Sequence, residues 1–292
     1  MHEPVLVREV VEGLALRTGQ IAVDLTAGSG GHAERLLEAV GSQGQLVAMD
    51  RDPEAIERCR VRLREERDGV HIQKASFSEL GEVLSKLKLE KVHAILMDLG
   101  LSREQLELTG RGFSFMREGP LDMRMDPDLP FSAAAVVRDL AEEELADIFW
   151  HYGEERFSRR IARRIASERK KNPITTTKSL ADVVTSAIGR RGKIHPATKV
   201  FQALRIYIND ELKQIETVLP IAMDKLYPGG RLAVIAYHSL EDRIVKHFFK
   251  QQKESNKISW INKKPIVPER VEIERNPSAR SAKLRIVERL NS

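Results

Sequence analysis

A glycine-rich turn flanked by carboxylates is the densest chemical signal in the chain. Asp24-Leu25-Thr26-Ala27-Gly28-Ser29-Gly30-Gly31-His32 follows a short apolar run and opens a helical pattern, and Asp50 closes the next apolar run. Glycine belongs in such a turn because a side chain would hold the backbone away from a ligand and because the turn demands positive φ. A carboxylate closing the second strand can accept both hydroxyls of a ribose. Together, on consecutive strands, these features point to a cofactor that contains adenosine. Gly28-x-Gly30-x-x-Ala33 is also a permitted form of the dinucleotide fingerprint, so a nicotinamide- or flavin-dependent oxidoreductase is a competing reading. Asp24 weighs toward S-adenosylmethionine. A carboxylate before the loop can face the cationic end of a sulfonium-bearing amino acid, whereas it would repel a pyrophosphate.

Alternating strand-like and helical runs position these residues, as in a parallel α/β sheet. Ile21 to Leu25, Gln45 to Met49, Val70 to Lys74 and Val92 to Met97 read as strands, with helices over Ala33 to Val40 and Pro53 to Arg67 between them. From about Glu104 to Lys213 no strand pattern appears. Phe157, Ile161 and Ile165 recur there at four-residue spacing, as do Val200, Leu204 and Ile208 in a helix begun by Pro196. The sheet resumes after a turn at Tyr227-Pro228-Gly229-Gly230, with strands over Arg231 to Tyr237 and Leu284 to Val287. Lys250 to Lys264 reads as an exposed, lysine-rich connection. The expected architecture is a Rossmann-like, doubly wound α/β sheet, residues 1–104 and 214–292, interrupted by an inserted helical domain, residues 105–213.

Composition narrows the class. A hydrophobic fraction of 41% and a charged fraction of 31% over 292 residues are those of a globular protein. No apolar run approaches the roughly 20 residues that span a bilayer, and the first residues lack a signal-peptide pattern. The lone Cys59 excludes an internal disulfide and reads as a buried small side chain. A cytoplasmic location is expected, with no membrane partner. The net charge of +5 suggests an anionic partner. Arg159, Arg160, Arg163 and Arg164 lie in a segment whose apolar stripe is already occupied by Phe157, Ile161 and Ile165, so they are candidates for phosphate contact, with Arg190, Arg191 and Lys193 next. The histidines show no zinc-ligand spacing, so no metal is expected.

Further motifs extend over almost the whole chain: Asp98-Leu99-Gly100-Leu101-Ser102-x-x-Gln105, Arg111-Gly112-Phe113-Ser114-Phe115-Met116, Gly119 to Asp126, Tyr152-Gly153-Glu154-Glu155-Arg156-Phe157, His195-Pro196-Ala197-Thr198, His238-Ser239-Leu240-Glu241-Asp242-Arg243 and Asn276 to Ser281. With Gly30-Gly31-His32 and Asp50-Arg51-Asp52-Pro53, they resemble the RsmH (MraW) family of 16S ribosomal RNA cytosine-N(4) methyltransferases. The resemblance implies a class I S-adenosylmethionine-dependent fold and methyl transfer to the exocyclic amine of a cytidine at the decoding centre of the small subunit. It also implies 16S rRNA as the partner, with homodimerisation left open. By motif position it implies cofactor contacts from Gly30, Gly31, His32, Asp50, Phe77, Asp98 and Gln105, to which the glycine-loop reading adds Gly28. Where the family usually carries a second serine after Ser102, this chain has Arg103-Glu104.

Asp98, Tyr237 and His238 are the catalytic candidates, since all three close strands beside the glycine loop. Phe113, Phe115 and Tyr237 are candidates for holding the base. Phe77 reads either as core or as an aromatic wall beside adenine, and His32 as a contributor of its backbone N–H. Ser239 with Asp242 reads as a capping box. Asp122, Arg124 and Asp126 are expected to pair internally. The alternatives are the oxidoreductase above and an RNA-binding protein without catalysis, which a damaged loop or a replaced Asp98 would signal.

Overall fold

The computed structural model describes residues 4–64, 67–102, 105, 109–189 and 195–291. Its apolar runs form one seven-stranded sheet of β1 (Ile21–Asp24), β2 (Gln45–Asp50), β3 (Val70–Lys74), β4 (Val92–Asp98), β5 (Leu226–Ala236), β6 (Ile258–Trp260) and β7 (Lys283–Arg289). Before the strandless middle come α1 (Val7–Leu14), α2 (Gly31–Val40), α3 (Pro53–Leu63) and α4 (Leu80–Lys86). Within it lie α5 (Ala133–Asp139), α6 (Glu142–Gly153), α7 (Ser158–Glu168), α8 (Thr177–Ile188) and α9 (Thr198–Asn209). Then follow α10 (Glu211–Lys225), α11 (Ser239–Glu254) and α12 (Arg270–Arg275).

The strand order is β3-β2-β1-β4-β5-β7-β6, with β1 to β5 parallel and β7 antiparallel to both its neighbours. The order reverses between β1 and β4. Their carboxyl ends therefore flank the topological switch point, where open α/β sheets bind ligands.

Successive strand residues point to opposite faces. Ala22, Leu46, Ala48 and Leu96 pack on one face with Leu36, Val40 and Ile56 of α2 and α3. Val23, Val47, Met49, Ile95 and Met97 pack on the other with Leu80, Leu84, Val218 and Phe249 of α4, α10 and α11. Covering both faces is why the strands read as continuous apolar runs. Cys59 is fully buried among the first set.

The chain divides into two compact units, Met1–Gly100 with Leu212–Ser292, and Leu101–Glu211. The second unit has its own core, including Phe149, Ile161, Ile165, Val184 and Leu204. Its only strand pairing among the described residues is the isolated bridge between Pro120 and Thr176. In α7 the apolar stripe is buried while Arg159, Arg160, Arg163 and Arg164 are exposed.

Several boundaries differ from the sequence reading. The helix expected to reach Arg67 ends at Leu63, because Arg64 adopts a left-handed φ of 53°. Tyr227 to Gly230 does not precede the strand but lies inside β5, as an irregularity that moves the register from Val92↔Leu226 to Ala94↔Arg231. Lys250 to Lys264 is not merely a connection: α11 continues to Glu254, and β6 pairs with β7 through a fully buried Ile258. The cap of α11 is His238 with Glu241, one residue earlier than Ser239 with Asp242. Among the described residues, no helix is long and apolar enough to cross a membrane.

Candidate active site

Four strand ends assemble the site in the first unit. The loop after β1 crosses to the end of β2, where Ala27 N–H donates to the Met49 carbonyl and Gly28 N–H donates to Asp50 Oδ2, at 2.8 and 2.9 Å. Gly28 and Gly30 take φ of 53° and 82°, the left-handed region that glycine enters without a Cβ clash. Asp50 Oδ1 also accepts the Asp52 N–H at 2.9 Å. Each carboxylate oxygen has two lone pairs, so capacity to accept from a ligand remains.

Asp24 is fully buried. Its Oδ1 accepts the Thr26 N–H at 3.0 Å, while Oδ2 meets no hydrogen-bond donor among the described residues. Burial, partly offset by His32 and the Thr26 N–H, pushes its carboxyl up to about 6. Burial also raises Asp50. Acids held above their ordinary range beside a glycine loop form a site that a cationic ligand would relax.

Asp98 closes β4. Its backbone N–H donates to Thr26 Oγ1 at 2.6 Å, which ties the strand end to the loop. Its Oδ1 accepts the Tyr237 hydroxyl at 2.8 Å from the end of β5, and its Oδ2 lies 3.5 Å from His32 Nε2 in the first turn of α2. The Asp98 side chain keeps 22% of its surface exposed against 6% for His32, so the carboxylate can still meet a ligand. Both His32 ring nitrogens are buried without a hydrogen-bond partner among the described residues. Burial and the Asp98 charge hold the Tyr237 hydroxyl well above the usual tyrosine range, so it stays a proton donor. Tyr237 packs beside Gly100, where a Cβ would stand 3.1 Å from its ring.

Asp24, Gly28, Gly30, His32, Asp50, Asp98 and Tyr237 thus come together, with Gly31 opening α2. Phe77 opens the short 3₁₀ turn after β3, half-buried against the core. His238 turns instead to the helix it caps, its Nδ1 accepting the Glu241 N–H at 3.4 Å. In the second unit Gln105 is buried, and its Oε1 accepts the Ser102 N–H at 3.0 Å. Phe113 is core, 6% exposed, which removes it from the base-holding candidates. Phe115 is half-buried, with its ring stacked on His195 at 4.6 Å. The Asp122–Arg124 pair forms at 2.8 Å. Arg163 lies 3.4 Å from Glu142 and Arg164 lies 3.3 Å from Glu168. Arg190, Arg191, Lys193, Arg103 and Glu104 lie outside the described residues.

Sequence reasoning assigned no role to Thr26 or Glu241. A hydroxyl two residues past a strand-end acid was the available signal for Thr26. A glutamate three residues after His238 was the signal for Glu241, obscured because histidine is not among the favoured capping residues.

Comparison with known proteins fits this geometry. The crystal structure of a candidate rRNA-methylase from Clostridium thermocellum aligns over 100% of this chain and 99% of that one, with a TM-score of 0.51 at 13% identity. The fold is therefore the Rossmann-like fold of the class I methyltransferases. The model of the MraW methylase family matches residues 1–290, and the chain belongs to that family. Proteins named ribosomal RNA small subunit methyltransferase H are similar over nearly the full length. That of Magnetococcus marinus is 42% identical, covering 99% of this chain and 98% of that one. That of Nitrosococcus oceani is 45% identical, covering 99% and 96%. That of Coprothermobacter proteolyticus is 45% identical, covering 98% and 95%.

Proposed function

We propose that the protein transfers a methyl group from S-adenosylmethionine to the exocyclic N(4) amine of a cytidine at the decoding centre of 16S rRNA in the small ribosomal subunit. The observation that carries this reading is the Asp98 carboxylate, partly open at the switch point and held by the Tyr237 hydroxyl at 2.8 Å. Family membership and the names of the relatives support the substrate.

The residues present fit the cofactor, because the buried Asp24 Oδ2 beside the glycine loop, which has no hydrogen-bond partner among the described residues, calls for a cationic group. Gly28, Gly30, Gly31 and His32 would line its path, Asp50 would accept its ribose hydroxyls, Asp24 would face its charged amino acid end, and Phe77 and Gln105 would complete the contacts. When bound, S-adenosylmethionine supplies an electrophilic methyl on a sulfonium.

The amine of cytosine is a poor nucleophile because its lone pair is delocalised into the ring. Asp98 can accept from the amine's protons, favouring the pyramidal form and holding it in line, and orientation supplies much of the remainder. Tyr237, donating to Oδ1, fixes the plane of the Asp98 carboxylate, so that Oδ2, on the His32 side, is the oxygen that would meet the amine. A base must leave its stack before it can react. Phe115 is the candidate that remains for holding it, while Tyr237 is committed to Asp98. The Leu101–Glu211 unit would serve as the RNA-recognition domain, with Arg159, Arg160, Arg163 and Arg164 on phosphate.

Titration with S-adenosylmethionine and with a nicotinamide dinucleotide, followed by incubation of labelled S-adenosylmethionine with undermethylated small subunits, tests the reading. Saturable binding of the former and label in 16S rRNA are expected. Binding of the dinucleotide without methyl transfer would replace this reading by the oxidoreductase.

A further inference from the structure

A buried carboxylate stands directly behind the site tyrosine. Glu241, in the first turn of α11, is 1% exposed. Its Oε2 accepts the N–H of Tyr237 at 2.8 Å and that of His238 at 3.2 Å, and its Oε1 lies 3.2 Å from His238 Nε2. A carboxylate taken out of water is costly unless hydrogen bonds satisfy it. Here the donors are the backbone at the end of β5, and the start of α11 adds partial positive charge. A capping-box glutamate ordinarily accepts only the N-cap N–H, whereas Glu241 also accepts that of Tyr237, one residue before the cap.

We infer that Glu241 is a positioning residue for methyl transfer: by pinning the backbone of Tyr237, it fixes the hydroxyl that Tyr237 donates to Asp98. The ring of Tyr237 rests beside Gly100, so the place of its hydroxyl follows from the place of its backbone. The helix carrying Glu241 is itself anchored, because the next residue, Asp242, accepts from Arg285 at 2.7 Å and from Lys283 at 3.3 Å on β7. Glu241 is thus the link between a fixed helix and the strand end that presents the tyrosine. Its negative charge also favours the protonated hydroxyl that the Asp98 contact requires.

This role rests on the methyl-transfer reading above, and a wild-type chain that transfers no methyl refutes that reading before the role is tested. The experiment is a double-mutant cycle on the full chain with Glu241→Gln, Tyr237→Phe and both together. Turnover is measured with S-adenosylmethionine and undermethylated small subunits, and thermal unfolding is recorded for each variant. Tyr237→Phe is expected to lower kcat about tenfold and Glu241→Gln about fivefold, with KM for S-adenosylmethionine unchanged within about twofold. The double variant should fall no more than about twofold below Tyr237→Phe, because residues acting through one contact are non-additive. Losses that multiply in the double variant, or a Glu241→Gln kcat equal to wild type, overturn the role. If Glu241→Gln does not fold, Glu241→Asp withdraws the carboxylate by one methylene and is read against Tyr237→Phe by the same criterion.

Discussion

Charge is handled in opposite ways at the strand ends and along α7. Asp24 is buried, and Asp50 and Asp98 are held in place by backbone amides or by a tyrosine hydroxyl. The arginines of α7 are exposed, and Arg163 and Arg164 have carboxylates within 4 Å on the same unit. A fixed, desolvated charge acts strongly and on one atom, whereas an exposed charge is screened by salt and is one of several equivalent contacts. Precision of contact belongs to the sheet edge and breadth to the helix.

The largest effect should come from the fixed side. Asp98→Asn keeps the shape but weakens the acceptor, and kcat is expected to fall by about 10²- to 10³-fold, the range for a removed electrostatic stabiliser. Affinity for S-adenosylmethionine by calorimetry should stay within about threefold. Lost cofactor binding would remove Asp98 from the catalytic role and make it a cofactor contact.

Next comes pH. Asp24, raised to about 6 in the fold, binds a proton more tightly when folded than when unfolded. Its contribution therefore favours the fold below its unfolded value and is lost as pH rises toward about 6, on the order of 3 kcal/mol in total. Asp122 and Asp242, which Arg124 and Arg285 hold below the ordinary range against their own burial, act in the opposite sense and lose stability as pH falls. The difference in unfolding free energy between wild type and Asp24→Asn isolates the first term. The wild type is expected to lose stability relative to Asp24→Asn as pH rises through about 6, and a pH-independent difference would show that Asp24 is not desolvated. A cationic cofactor favours the charged form, so wild-type affinity should weaken below about pH 6 and that of Asp24→Asn should not.

Asp50→Ala should weaken S-adenosylmethionine binding by about 1.5 to 3 kcal/mol, the range for hydrogen bonds to a charged group. Unchanged affinity in calorimetry would show that Asp50 serves only to hold Gly28 and Asp52. The smallest effect is expected on α7. Arg159→Gln with Arg160→Gln should lower RNA affinity uniformly and reduce the salt slope by about one for each lost phosphate contact. A slope equal to wild type would move the footprint elsewhere, and a loss of kcat alone would erase the contrast between the two regions.

The parallel strands were legible because burial on both faces writes itself as apolar runs, as in Val92 to Met97. The glycine loop and Asp50 were legible because backbone approach and ribose binding demand particular residue types. The end of α3 was not, because Arg64 takes a left-handed φ that usually calls for glycine. α1 carries no side-chain cap and begins after Leu6, also left-handed at φ 54°, so no polar residue announces it. β6 was hidden among lysines, since an edge strand of three residues needs to bury only Ile258 and half of Trp260. The bond from Tyr237 to Asp98 joins positions 139 residues apart, and no local pattern encodes such a pairing. Glu241 lies only four residues from Tyr237, and its role was hidden because what Tyr237 itself reaches, Asp98, is encoded by no local pattern.

The central claim is that the open oxygen of Asp98 orients an amine. It is tested most directly by nucleoside mass mapping of 16S rRNA after wild-type protein and S-adenosylmethionine have acted on undermethylated small subunits. The account predicts one methyl on N(4) of a single cytidine, lost with Asp98→Asn. A methyl on ring carbon 5 or on a ribose oxygen would contradict it, because neither acceptor presents amine protons to a carboxylate.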